Sequence, residues 1–184
     1  GLDVQWCDEF HHALHALATG EKLEYYADFG TLEEVEAAFR QAYVFNGQYS
    51  PHRKKRFGTK TGNRPGSQFV VFIQNHDQVG NRMMGERLTE LVGTDMLRLL
   101  AGAMFVSPYI PMLFMGEEYG ERQPFLYFNS HGDPELIRMV REGRKNEFRE
   151  FFQTGSPADA QDPKTFERSK LTWDYRTAEG EKPL

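Results

Sequence analysis

Three clusters of polar residues carry chemical groups dense enough to act on a ligand. Asn75-His76-Asp77-Gln78 follows directly on the apolar run Phe69–Gln74 (FVVFIQ), and all four side chains can hydrogen-bond. A carboxylate there can accept two hydrogen bonds from neighbouring sugar hydroxyls while an imidazole donates a third. The plainer alternative is structural, with Asp77 capping the next helix and His76 satisfied in the core. The second cluster, Trp6-Cys7-Asp8-Glu9-Phe10-His11-His12-Ala13-Leu14-His15, also stands where a strand gives way to a helix. His11 and His15 are four apart and share a helical face, as metal ligands often do, with Asp8 available to join them. No third clear ligand and no general base are evident, so the favoured reading has one His facing a cleft while the others pack or hydrogen-bond. The third cluster, LFMGEEYGERQPF, supplies Glu117, Glu118, Glu121 and Arg122. Glutamates on a loop mostly face solvent or pair with Arg. Met115, Tyr119, Phe125, Tyr127 and Phe128 around them either wall a sugar cleft or fill a core. Gly80-Asn81-Arg82 matches neither GxGxxG nor the P-loop, so no phosphate-cradling glycine loop is present.

The elements that must position these groups alternate along the chain. Val4–Trp6 is a short strand candidate, and Asp8 is a plausible N-cap ahead of Phe10, Leu14 and Leu17 at helical spacing. Thr31 and Glu34 form a T-x-x-E capping box before Leu32, Val35, Ala38 and Ala42. Residues 44–68 read as a long polar surface loop carrying His52-Arg53-Lys54-Lys55-Arg56, broken by Gly58, Gly62, Pro65 and Gly66. FVVFIQ has the near-continuous apolar pattern of a strand buried on both faces. Helices are expected over 83–91 and 94–106, and then Pro111–Met115 (PMLFM) reads as another buried strand. Asp133-Pro134 opens a last helix whose apolar face includes Leu136, Ile137, Val140 and Phe148. Beyond Phe152 the chain reads as an extended tail.

Repeated strand, polar loop and helix imply parallel βα units. The three strands counted neither close a barrel nor make a comfortable open sheet, and an eight-stranded barrel typically takes about 250 residues. An incomplete domain is therefore expected.

Composition narrows the function classes. The 184 residues are 39% hydrophobic and 27% charged, a globular balance. The net charge of −5 argues against a nucleic-acid partner. No run approaches the roughly 20 apolar residues of a membrane span. Cys7, the single cysteine, cannot form an internal disulfide. With no signal-peptide pattern at Gly1, a cytoplasmic location is expected. There is no initiator Met, and the chain begins like the middle of a protein.

FVVFIQNHDQVGNR resembles the fourth conserved region of the α-amylase family of glycoside hydrolases, with its Asn-His-Asp after the seventh barrel strand. VQWCDEFHHALHALATGE, YYADFG, MGEEYG and TFERSKLTW narrow the likeness to the trehalohydrolase branch, from about residue 2 to about residue 175. The resemblance implies an α/β fold, strands six to eight of a TIM barrel with their helices. Residues 1–152 would be the C-terminal part of that catalytic barrel, and 153–184 would lead toward a small β domain. It implies a retaining enzyme that cuts the α-1,4 bond joining a maltooligosaccharide to a terminal trehalose, with no metal and no cofactor.

In the family the nucleophilic Asp follows strand four and the acid Glu follows strand five. Both would lie upstream of Gly1, so the chain alone is expected to be inert. Asp77 corresponds to the third family carboxylate, which grips the sugar at the cleavage point and favours its distorted form. The resemblance also implies that His76 contacts that sugar and that Gln78 and Asn81 line the groove. Asp8, His11 and His12 would approach from the loop after strand six. Cys7 stands where a small residue is expected. Other readings are a glycogen branching or debranching enzyme, a non-catalytic carbohydrate-binding fragment, and a metal protein using His11 and His15. Unpaired strand edges would favour self-association, while the expected partner is an α-glucan, with no nucleic acid and no membrane.

Overall fold

The computed structural model describes residues 1–150 and 156–173. In chain order the elements begin with β1 (Gln5–Trp6), α1 (Asp8–Thr19), α2 (Leu32–Gln41), β2 (Asn46–Ser50), β3 (Lys55–Gly58) and β4 (Phe69–Val71). They continue with α3 (His76–Gly80), α4 (Leu88–Leu91), α5 (Thr94–Val106), β5 (Ile110–Pro111), α6 (Pro134–Glu150) and α7 (Pro163–Arg168). The described residues fall into two compact units, Gly1–Ile73 with Val92–Phe114 and Gln74–Leu91 with the described residues from Met115 onward. Among the described residues no helix is long and apolar enough to cross a membrane.

The first unit is built on the apolar run. β4 is the middle strand of a parallel sheet in the order β1-β4-β5, and every residue from Phe69 to Gln74 is buried. The ladder continues past the formal strands, since Cys7 N–H donates to the Val70 carbonyl at 2.9 Å and Met112 N–H to that of Val71 at 2.8 Å. Parallel pairing and a fully apolar central strand agree with the sequence. Pro111–Met115 does not form a second strand buried on both faces. The strand there is Ile110–Pro111, an edge strand, and Ile110, Leu113 and Met115 are exposed. Pro111 has no N–H to donate to a ladder, so the pairing cannot be continuous on both sides of it.

Helix α1 is buried from Glu9 to Ala16. Its N-cap position is taken by Cys7, not Asp8. Asp8 is instead the first helical residue, where a carboxylate suits the positive end of the helix dipole. Helix α2 carries the expected capping box, in which Thr31 N–H donates to Glu34 Oε2 at 2.7 Å. Residues 46–58 are not an irregular loop. They form an antiparallel hairpin of β2 and β3, with Ser50 opposite Lys55. Asp28 holds its turn by accepting from Ser50 Oγ and from His52 N–H, and the Arg53 guanidinium lies 4.0 Å above the Phe57 ring. At Gly58 a Cβ would stand 2.1 Å from the Phe45 carbonyl oxygen, so the strand can pass only without a side chain.

In the second unit, α6 begins where Asp133-Pro134 predicts, with Asp133 Oδ1 accepting from Glu135 N–H at 2.9 Å. The extended-tail expectation is corrected over 163–168, which is helix α7. Asp162 caps it through Lys164 N–H at 2.9 Å, and Pro163 supplies the preset first turn. Phe166 packs its ring 5.1 Å from that of Phe128, and Ser169 Oγ accepts from Leu126 N–H at 3.0 Å. Residues 151–155 and 174–184 of the expected tail lie outside the described residues.

Candidate functional site

The groups singled out in the sequence fall in both units. His76, Asp77, Gln78 and Asn81 belong to the second, while Asp8, His11 and His12 belong to the first.

In the second unit the residue that organises the cluster is Asn75. It is fully buried and adopts the extended N-cap conformation, and its Oδ1 accepts from Asp77 N–H at 2.8 Å and from Gln78 N–H at 3.4 Å. An asparagine in this role satisfies amides that a helix start would otherwise leave orphaned. Asp77 therefore does not cap the helix, and His76 is not a core residue. Their side chains are 62% and 55% exposed, with His76 Nε2 3.4 Å from Asp77 Oδ1. Gln78 is buried. Asn81 is exposed, and its Oδ1 accepts from Arg144 Nη1 at 3.2 Å, while Arg144 Nη2 donates to the Gly80 carbonyl at 3.1 Å. The Arg144 guanidinium also lies over the rings of Tyr127 (4.8 Å) and Phe148 (4.7 Å), and burial lowers its pKa. The cluster thus presents a carboxylate, an imidazole and an amide on a turn fixed by buried groups. That set can accept from and donate to sugar hydroxyls.

The glutamate loop behaves differently from the expectation. Glu117 and Glu121 are buried, and only Glu118 is exposed. Glu121 accepts from Arg122 N–H (2.8 Å), Gln123 N–H (2.9 Å), Thr172 N–H (2.8 Å) and the Tyr119 hydroxyl (3.1 Å). Burial pushes its carboxyl up, but the amides of Gln123 and Thr172 and the two hydroxyls outweigh that and hold it below the usual range. Arg87, which spacing gave no reason to single out, is 1% exposed. It donates from Nε to the Gln123 carbonyl at 2.6 Å and from Nη1 to that of Met115 at 2.8 Å. Burial lowers its pKa, opposed first by Glu121 and also by Tyr119, Glu117 and Glu118. Local spacing carries no signal for it, since Arg87 stands just before α4 and its partners are carbonyls 28 and 36 residues away.

In the first unit Asp8 is exposed, whereas His11 and His12 are buried. His11 Nδ1 lies 2.6 Å from the Ile73 carbonyl oxygen, which can only accept, so Nδ1 carries the proton. In the neutral ring Nε2 then accepts from the Tyr26 hydroxyl at 2.7 Å. His15 Nε2 donates to Glu21 Oε2 at 2.8 Å, and its ring stacks 4.4 Å from that of Tyr26. His11 and His15 do share a face, but both His11 nitrogens and His15 Nε2 serve other partners. Among the described residues no group of three or more His, Cys, Asp or Glu could hold a metal ion. His12 stacks 4.9 Å from Tyr25 and has its pKa lowered to about 3, by burial first and then by His15 and Arg53. Cys7 is buried, and burial raises its thiol to about 11 despite the opposing Tyr43 hydroxyl, so it stays a protonated core residue.

No protein-family model matches the chain. It is 48% identical over 172 residues to a malto-oligosyltrehalose trehalohydrolase from Saccharolobus solfataricus and 42% identical to one from Mycobacterium tuberculosis. It is 37% identical to the protein of the same name from Deinococcus radiodurans. The first two alignments each cover 94% of this chain, and the third covers 95%. A crystal structure of a protein described as an alpha amylase, from Salmonella typhimurium, superposes with a TM-score of 0.87 at 43% identity, covering 96% of this chain and 30% of that one. The chain spans about 30% of the length of the curated relatives it matches. Over nearly all of its residues, this chain is thus a homologue of one part of the malto-oligosyltrehalose trehalohydrolases.

Proposed function

We propose that the chain forms strands six to eight of the catalytic barrel of an enzyme that releases trehalose from maltooligosyltrehalose. In this reading residues 1–152 belong to the barrel, and 153–184 lead out of it. The observation that supports it best is the Asn75 cap, which satisfies the backbone and leaves Asp77 and His76 exposed after a fully buried parallel strand. Asp77 is the carboxylate that grips the sugar ring, through hydrogen bonds that strengthen as positive charge develops on it. His76 contacts the same ring, and Gln78 and Asn81 line the substrate groove. Asp8 contributes from the first turn of α1. His11 and His12, being buried, serve substrate binding by holding α1 in place through Tyr26, Tyr25 and the Ile73 carbonyl.

A retaining site needs a nucleophile and an acid about 5–5.5 Å apart. The resemblance assigns neither role to a residue of this chain. The chain alone therefore binds maltooligosaccharide without cleaving it. Incubation with maltooligosyltrehalose should release no trehalose above a boiled control, while calorimetry detects oligosaccharide binding. Release of trehalose would overturn the assignment of roles, and absence of binding would overturn the sugar-gripping role of Asp77.

The edge strands support a second, smaller proposal. Among the described residues β1 and β5 each pair only with β4, and Val4, Trp6, Ile110 and Leu113 are exposed beside them. Such edges favour pairing between chains. Sedimentation should show self-association that grows with concentration, and a monomer at all concentrations would exclude it.

A further inference from the structure

A cavity of about 360 Å³ in the first unit is unrelated to the groups discussed so far. It lies between the C-terminal end of α2, the segment after the hairpin and the start of β5. Arg40, Lys60 and Arg64 line it, and no Asp or Glu does. We propose that this cavity binds a phosphate-type oxyanion, either free or as the phosphate group of an ester.

Charge is the first argument. The chain as a whole carries −5, yet three cations converge here. Lys60 and Arg64 have no carboxylate within ion-pair distance among the described residues. Arg40 pairs with Glu36 one helical turn away, but both side chains are largely exposed, so that pair is weak and an arriving dianion competes with it. A concave site concentrates the field of such charges beyond what a flat surface would give.

The floor is the second argument, because it is fixed before any ligand arrives. Tyr109 Oη donates to the Phe39 carbonyl at 2.8 Å and accepts from Ala42 N–H at 2.6 Å. Gly66 passes so close to Pro108 that a Cβ would stand 1.9 Å from its carbonyl oxygen. These bonds also reduce the main objection, that a helix C-terminus repels anions, by occupying two of the four terminal carbonyls of α2. The Ala38 carbonyl is taken by Ala42 N–H at 2.8 Å and the Phe39 carbonyl by Tyr109. Asn63 and Thr61, also on the wall, add neutral donors, and the arginine forks match phosphate geometry.

Calorimetry on the 184-residue chain, at fixed ionic strength in chloride, tests the proposal with inorganic phosphate and with glucose 6-phosphate as probes. Saturable one-to-one binding is expected. It should weaken by about tenfold or more when Lys60→Ala and Arg64→Ala are combined, equivalent to about 1.4 kcal/mol. Arg64→Lys should retain part of the binding. Lys54→Ala, in the hairpin turn and outside the cavity, should leave it unchanged. Tighter binding of inorganic phosphate identifies a free-ion site, and tighter binding of the sugar phosphate an ester site. No saturable binding of either probe, or an equal loss in Lys54→Ala, would overturn the proposal. The substituted side chains are exposed, and circular dichroism verifies that each variant is folded.

Discussion

The segment after Phe69–Val71 and the one after Ile110–Pro111 are both polar and both follow parallel strands, but they use their acids in opposite ways. In the first, Asn75 accepts from the amides of residues 77 and 78, and Asp77 is left 62% exposed. In the second the acid itself does the structural task. Glu121 is 4% exposed and accepts from three backbone amides and two hydroxyls, while buried Arg87 ties down the carbonyls of Met115 and Gln123. A carboxylate is available to a ligand only where another side chain satisfies the backbone around it. The number of acids in a loop does not reveal which case applies.

The largest expected effect that would break this comparison lies in the glutamate loop. Glu121→Gln replaces an acceptor-only group with one whose NH2 faces donors. It should cost about 2–3 kcal/mol in urea unfolding, in line with losing buried hydrogen bonds to a charged group. Its pH dependence carries a definite sign. The folded carboxyl titrates below its unfolded value of 4.5, so its contribution is present above that pH and is lost as pH falls through the folded value. The gap between the parent chain and Glu121→Gln should therefore narrow below about pH 4.5. A gap that stays constant down to pH 3 would show that Glu121 is not the charged anchor described.

Smaller effects should separate Asn75 from Asp77. Asn75→Ala should cost about 1 kcal/mol through the lost cap and weaken maltooligosaccharide binding with it. Asp77→Asn should change stability by less than about 0.5 kcal/mol. Its oligosaccharide binding should still fall by about tenfold, as expected for a lost charged hydrogen bond. If Asp77→Asn proved the more destabilising of the two, the roles of cap and exposed acid would be reversed.

Much of the scaffold was legible in the residues. Phe69–Gln74 announces a buried strand because an unbroken apolar run can be satisfied only by cover on both faces. Thr31 with Glu34, and Asp133 with Pro134, announce helix starts because cap chemistry is local. Asp162-Pro163 carries the same signal. There it stands alone, because a helix of six residues is too short to show an apolar period. The hairpin of 46–58 was hidden for a related reason. NGQYS and KRFG lack strand alternation, and their turn depends on Asp28, distant in the chain.

The sequence by itself determined that Phe69–Gln74 must be buried, where two helices begin, and which turn carries Asn, His and Asp together. These follow from hydrophobic pattern and from bonds spanning three or four residues. Only the tertiary structure decided that Asn75 caps and Asp77 stays exposed, that Glu121 is an anchor, that Arg87 is buried, and that the strand at Ile110 is an edge. Each of those outcomes depends on which distant donor, acceptor or apolar surface arrives beside the residue, and local spacing holds no record of that.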